Sequence, residues 1–152
     1  MRVRRLLTLM LFSSIWLFAA ESPFSGTWKL NPAKGHPIQP LPRSAMAHIE
    51  VDGDNFSFSQ EYVDYRGQTT NVSYRAKFDG KEYPVICDPN HDSVSLRQVN
   101  KRKISFTFKK AGNVTLTIDA TVSNDGETTT LSYTDYTGGK PPHNGSAVYE
   151  RQ

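Results

Sequence analysis

From Ala45 onward, apolar residues recur at every second position in short runs, and a glycine-bearing turn follows most of the runs. That period belongs to strands with one buried face, and no stretch in this region carries the period of a helix. In the cleanest run Val72, Tyr74, Ala76 and Phe78 share a face, with Ser73, Arg75 and Lys77 opposite. The same alternation groups Ala45, Ala47, Ile49 and Val51, and then Phe56, Phe58 and Tyr62 with Gln60 among them. Further on it groups Val94 with Leu96, Ile104 with Phe106 and Phe108, Val114 with alternate residues to Val122, and Leu131 with Tyr133; Ala147 to Arg151 forms the last run. Asp52-Gly53, Arg66-Gly67, Asp79-Gly80, Ala111-Gly112, Asp125-Gly126 and Gly138-Gly139 supply the positive φ of tight hairpins, so successive strands are expected to pair with their sequence neighbours. A meander of about eight to ten strands with one apolar face removes its edges by closing. The expected fold is therefore all-β: an antiparallel up-and-down barrel in which the first and last strands meet.

Phe24-Ser25-Gly26-Thr27-Trp28-Lys29-Leu30-Asn31 is the candidate first strand, with Phe24, Gly26, Trp28 and Leu30 on one face. Gly26 removes a side chain where a neighbouring backbone is expected to come close, and the Trp28 ring on the same side is placed to close one end of a barrel. Gly26-Thr27-Trp28 resembles the Gly-x-Trp strand of the lipocalins. The longer string Gly-Thr-Trp-Lys-Leu is similar to the first strand of their calycin relatives, the intracellular fatty-acid-binding proteins, and of lipocalin-like secreted bacterial proteins. The closing segment Val148-Tyr149-Glu150-Arg151 resembles the last strand of the fatty-acid-binding proteins, in which an Arg two residues before the Tyr helps hold a ligand carboxylate; here that position is Ala147. Tyr149 matches and the arginine does not. The lipocalin resemblance implies that Arg151 stacks on Trp28 where the barrel ends meet, a cation over a ring. Gly26, Trp28, Tyr149 and Arg151 are thus the expected closure residues.

Pro32, Pro37, Pro40 and Pro42 all fall between Pro32 and Ser44. So many prolines forbid a regular helix, and the segment is expected to be one long, stiff loop. Fatty-acid-binding proteins place a pair of helices at this point and lipocalins a long open loop at the barrel mouth, so the departure favours the lipocalin side of the resemblance.

The chain opens with Arg2, Arg4 and Arg5, then an apolar run from Leu6 to Phe18, then Ala19-Ala20-Glu21. This is the tripartite pattern of a cleaved export signal, and its apolar run is shorter than the ~20 residues a membrane span requires. Residues 1–20 are read as a leader and 21–152 as a single domain in the periplasm or outside the cell, with no stable membrane insertion after cleavage. The leader takes three of the 18 Lys and Arg and leaves 15 to face 15 Asp and Glu. A mature chain so balanced gives no reason to expect nucleic acid as a partner. The single cysteine, Cys87, excludes an internal disulfide, and its neighbours Val85 and Ile86 suggest a buried thiol.

Inward-phased aromatics, among them Phe58, Tyr74, Phe106 and Tyr133, either line a pocket for an apolar ligand or fill a solid core. A barrel of this size is wide enough for one or the other. Gln60, Gln98 and Asp135 are polar exceptions on the same faces, placed to meet a ligand's polar end or to touch water at the barrel ends. The ligand-binding candidates are Phe58, Gln60, Tyr74, Gln98, Phe106 and Tyr133. No catalytic constellation, cofactor motif or metal-ligand spacing emerges: His36, His48, His91 and His143 are scattered, and Asp88-Pro89-Asn90-His91-Asp92 reads as a plain turn. The leading expectation is a non-enzymatic binding protein for a small, mostly apolar molecule, with any ligand entering beside the Pro32–Ser44 loop. The alternative is an interaction module with a filled core that works through its rim loops.

Overall fold

The computed structural model describes residues 21–38, 40–138 and 141–152. The expected leader, and Gly139 of the expected last turn, lie outside the described residues. Ten strands follow in order: β1 (Gly26–His36), β2 (Ser44–Asp52), β3 (Asn55–Val63), β4 (Thr69–Lys77), β5 (Tyr83–Ile86), β6 (Ser93–Asn100), β7 (Lys103–Lys110), β8 (Asn113–Val122), β9 (Thr128–Asp135) and β10 (His143–Arg151). Each pairs antiparallel with its sequence neighbours, and β1 also pairs with β10, so the meander closes into a barrel. Trp28 lies opposite Arg151 on one side and Ala47 on the other, the junction the sequence led one to expect.

Up-and-down topology sends the β1–β2, β3–β4, β5–β6, β7–β8 and β9–β10 connections to one end of the barrel and the intervening turns to the other. The second end is plugged. Phe24 and Trp28 are almost wholly buried there with Phe56, Leu96, Ile104 and Val122. The Phe56 ring meets Phe106 edge-on at 5.7 Å between centroids, joining β3 to β7 across the interior. The lower part is therefore filled with side chains, and the inner residues of β1 to β4 and β7 to β9 keep the phase read from the sequence.

Four local expectations are corrected. Pro32 does not end β1: between Asn31, opposite Val148, and Gly35, opposite Ala147, the chain bulges out of the ladder. Asn31 Oδ1 accepts the Ala33 N–H at 3.0 Å within the bulge, and Pro32 costs no ladder bond because none is made there. The long loop shrinks to residues 37–43. Cys87 is exposed, not buried, because Val85 points inward and the chain then turns beyond the end of β5 with Cys87 at φ +60°. Val114 is also exposed, because a bulge sets Lys109 opposite Val114 and Phe108 opposite Leu116, leaving Thr115 as the extra residue. Gln98 pairs with the buried Ile104 but is itself exposed, lying past Leu96 where β6 runs out at the plugged end.

β10 starts at His143, earlier than the apolar run suggests. Its first residues are polar or small for a reason visible at Gly145, the partner of Tyr133: a Cβ there would fall 2.7 Å from that ring. Glycine lets the tyrosine lie over the strand.

Candidate functional site

Above the plug the barrel is hollow. The cavity has a volume of about 740 Å³ and opens at the end bearing residues 37–43. Ligand pockets generally begin near 300 Å³, so this is space for a whole small molecule. Phe24 and Trp28 form its floor. β3, β4 and β7 supply an aromatic wall in which the Phe58 and Tyr74 rings stack at 4.8 Å and the Phe106 and Phe108 rings at 6.4 Å. The facing wall is aliphatic, with Leu30 from β1, Leu116 and Ile118 from β8, and Leu131 from β9.

Of the ligand-binding candidates, Phe58, Gln60, Tyr74, Phe106 and Tyr133 all line this cavity, brought together by the inward phase of their strands. Gln98 does not; its exposed position removes it from the site. Tyr149, expected as a closure residue, lines the cavity as well. Gln60 Nε2 donates to the Tyr149 hydroxyl oxygen at 2.9 Å, which leaves the phenol's own proton without an acceptor among the described residues. Burial pushes the Tyr149 phenol up to about 12, against the opposing pull of the Gln60 bond. Burial raises Tyr74 still further. Both are neutral donors at any physiological pH.

The closure residues hold the other end. Arg151 Nε donates to the Gly126 carbonyl, Nη1 to Ser25 and Nη2 to Pro23, each at 2.7 Å. Trp28 Nε1 donates to the Phe24 carbonyl at 2.8 Å, which fixes the ring that the plug packs around. Gly26 has φ +133°, and a Cβ there would fall 2.5 Å from Arg151 Nη1. The close neighbour of Gly26 is thus the arginine side chain as it reaches the Ser25 and Pro23 carbonyls, where the sequence had suggested a backbone.

Several mouth residues were not singled out by sequence. Ile38 N–H donates to the Tyr133 hydroxyl at 3.0 Å, tying the 37–43 loop to the barrel rim. His91 lies against the Phe108 ring, 5.1 Å between centroids, and its Nδ1 is 2.8 Å from Thr115 Oγ1. Burial lowers the His91 pKa, while Asp88 and Asp135 pull the other way. Asp88, read as a turn residue, and Asp64, not singled out, line the mouth beside Asp135. Thr129, on the inward face of β9, lines the cavity with a buried hydroxyl that has no hydrogen-bond partner among the described residues. It sits within a run of threonines that shows no alternation, so the sequence carried no signal for it.

No family model matches this sequence, and neither does any curated protein. Among solved structures the chain is similar to the zebrafish ileal bile acid-binding protein, determined in complex with cholic acid: 12% identity, a TM-score of 0.52, and coverage of 86% of this chain and 99% of that one. At that identity the likeness shows the fold alone, the ten-stranded closed calycin barrel. The strand order closes in the same way here, and the 37–43 connection is an open loop.

Proposed function

We propose that this chain is a binding protein for a small, mostly apolar molecule, carried in the barrel with its polar end toward the mouth. The observation that carries the reading is the cavity of about 740 Å³ behind Trp28, where a close-packed interior would have favoured an interaction module working through its rim. Aromatic and aliphatic walls provide the apolar contact, and Gln60 with Tyr149 provides an uncharged polar contact within it. That a protein of similar fold holds cholic acid supports a small, largely apolar ligand at the level of the fold. Ala147, in place of the family arginine, argues against the carboxylate clamp of fatty-acid carriers. The role is carriage or sequestration rather than catalysis. The export-signal pattern read over residues 1–20 supports a site of action in the periplasm or outside the cell.

Native mass spectrometry of protein purified from its own host is the direct test. A co-purified small molecule is expected. Saturable, near one-to-one binding of Nile red is the second expected result; a protein that carries nothing and shows no saturable dye binding would return the filled-core interaction reading to first place.

A further inference from the structure

Among the described residues, carboxylates outnumber cations in the cavity lining. The ionic side chains there are Lys34, Asp64, Asp88 and Asp135, with His91 beside them. Lys34 is already committed, its Nζ 2.8 Å from Glu150 Oε1. Two arginines lie at the same end outside the lining and are turned onto Tyr65: Arg43 Nε donates to its carbonyl at 3.3 Å, and the Arg66 guanidinium sits 5.1 Å from its ring centroid. Lys110 is also outside the lining, and its charge reaches His91 against those of Asp88, Asp92 and Asp135.

Asp64 and Asp88 stand in connections and Asp135 ends β9, and backbone amides hold each of them. Asp64 Oδ1 accepts from the Arg66 and Gln68 N–H groups at 2.8 Å, Asp88 Oδ1 from Asn90 at 2.8 Å, and Asp135 Oδ1 from Thr137 at 2.7 Å. In each case the second oxygen has no partner among the described residues. An independent observation marks the space beneath as a place for an occupant. Thr129 is 5% exposed and lines the cavity, yet its hydroxyl has no hydrogen-bond partner among the described residues. Buried hydroxyls are normally satisfied, and an occupant of the cavity is what would satisfy this one.

We propose that the barrel selects a cationic amphiphile: a molecule with an ammonium head held among Asp64, Asp88 and Asp135, and an apolar body against the aromatic wall. This rests on the small-molecule reading above and adds the charge of the ligand to it. An anionic head would enter a mouth with three carboxylates and, among the described residues, no unpaired cation in the lining, so like charges repel at the entrance. An ammonium would find unpaired carboxylate oxygens at this opening, and the aromatic rings of Tyr62 and Tyr133 line the same cavity.

The test is competition of decylammonium, decanol and decanoate against bound Nile red, near neutral pH and at low salt. Decylammonium is expected to bind on the order of tenfold or more tighter than decanoate, with decanol between them, and the gap should narrow at high salt. A triple variant, Asp64→Asn, Asp88→Asn and Asp135→Asn, keeps an oxygen for each turn amide, so the fold should persist. In it the advantage of decylammonium over decanol should shrink to about twofold while decanol binding stays as it was. Saturable Nile red binding with decanoate equal to or tighter than decylammonium, or an ammonium advantage that survives the triple variant, overturns this proposal and leaves the small-molecule reading standing. Failure of Nile red and all three competitors to bind overturns both.

Discussion

The Arg151 guanidinium lies over the Trp28 indole, 4.3 Å from the ring centroid, while its nitrogens donate to three carbonyls at the base of the barrel. The last strand is thereby fastened to the segment before the first strand and to the β8–β9 turn. Trp28→Ala is expected to cost about 3 to 5 kcal/mol in urea unfolding, as for other large buried aromatics. Arg151→Lys should cost about 2 kcal/mol or more, because one ammonium cannot serve three carbonyls that the planar fork reaches together. Variants within about 1 kcal/mol of the parent would mean that the barrel closes by other contacts.

Tyr149 gives the stability a dependence on alkaline pH. Its phenol, ordinarily near 10, is held up to about 12 in the folded protein, chiefly by burial. The folded state therefore holds that proton more tightly than the unfolded chain does. Its contribution is complete below about pH 10 and is lost as pH rises toward about 12. Unfolding measured across that window should show falling stability with a shallower fall for Tyr149→Phe, and phenolate absorbance should lose the component titrating near 12. Equal slopes for the two proteins would contradict the assignment.

Replacing Gln60 with Leu removes the donor to Tyr149 and leaves the apolar wall intact. Affinity for a ligand with a buried polar oxygen should drop roughly tenfold, while Nile red binds as before. Gln98→Leu serves as the control, since its exposed position predicts no change in either. An equal effect of the two substitutions would show that neither acts through the cavity.

Shortening the 37–43 loop should alter binding far more than stability. The loop lines the mouth and touches the rim through the Ile38 bond to Tyr133, but it lies outside the strand ladders. A change in unfolding free energy below about 1 kcal/mol is expected, alongside faster release of bound dye in stopped-flow measurements. If release is unchanged, the ligand passes elsewhere.

Exported protein should begin at Glu21 or Ala20, which keeps Phe24 and the carbonyls of Pro23 and Ser25 that Arg151 needs. N-terminal sequencing of the fraction released from cells tests the cut. Recovery of intact Met1 in membranes would contradict it.

Alternation along single strands carried most of the fold, because the inner face of a closed barrel excludes water along its length and each inner strand repeats the same demand. Phe58, Gln60, Tyr74, Phe106 and Tyr133 could be grouped from the sequence for that reason. The rule fails where a strand bulges or runs out into solvent. Val114 is thrown outward by a bulge, Gln98 lies at a barrel end, and Cys87 follows a four-residue strand too short to show a period. Bulges and ends are set by pairing with another strand, and no single segment records its partner.

By itself the sequence determined the barrel, its order of pairing and the meeting of Trp28 with Arg151, since period, turn chemistry and the need to remove edges are all local or topological. Tertiary structure alone decided that the interior is plugged below and hollow above. The same inward aromatics can fill a core or line a wall, and which they do depends on how far rings on opposite sides of the barrel reach toward each other. It also decided that Asp64, Asp88 and Asp135 share one mouth. Asp64 and Asp88 follow the ends of β3 and β5 while Asp135 ends β9, and only the alternation of strand direction around a closed barrel brings the three to the same end.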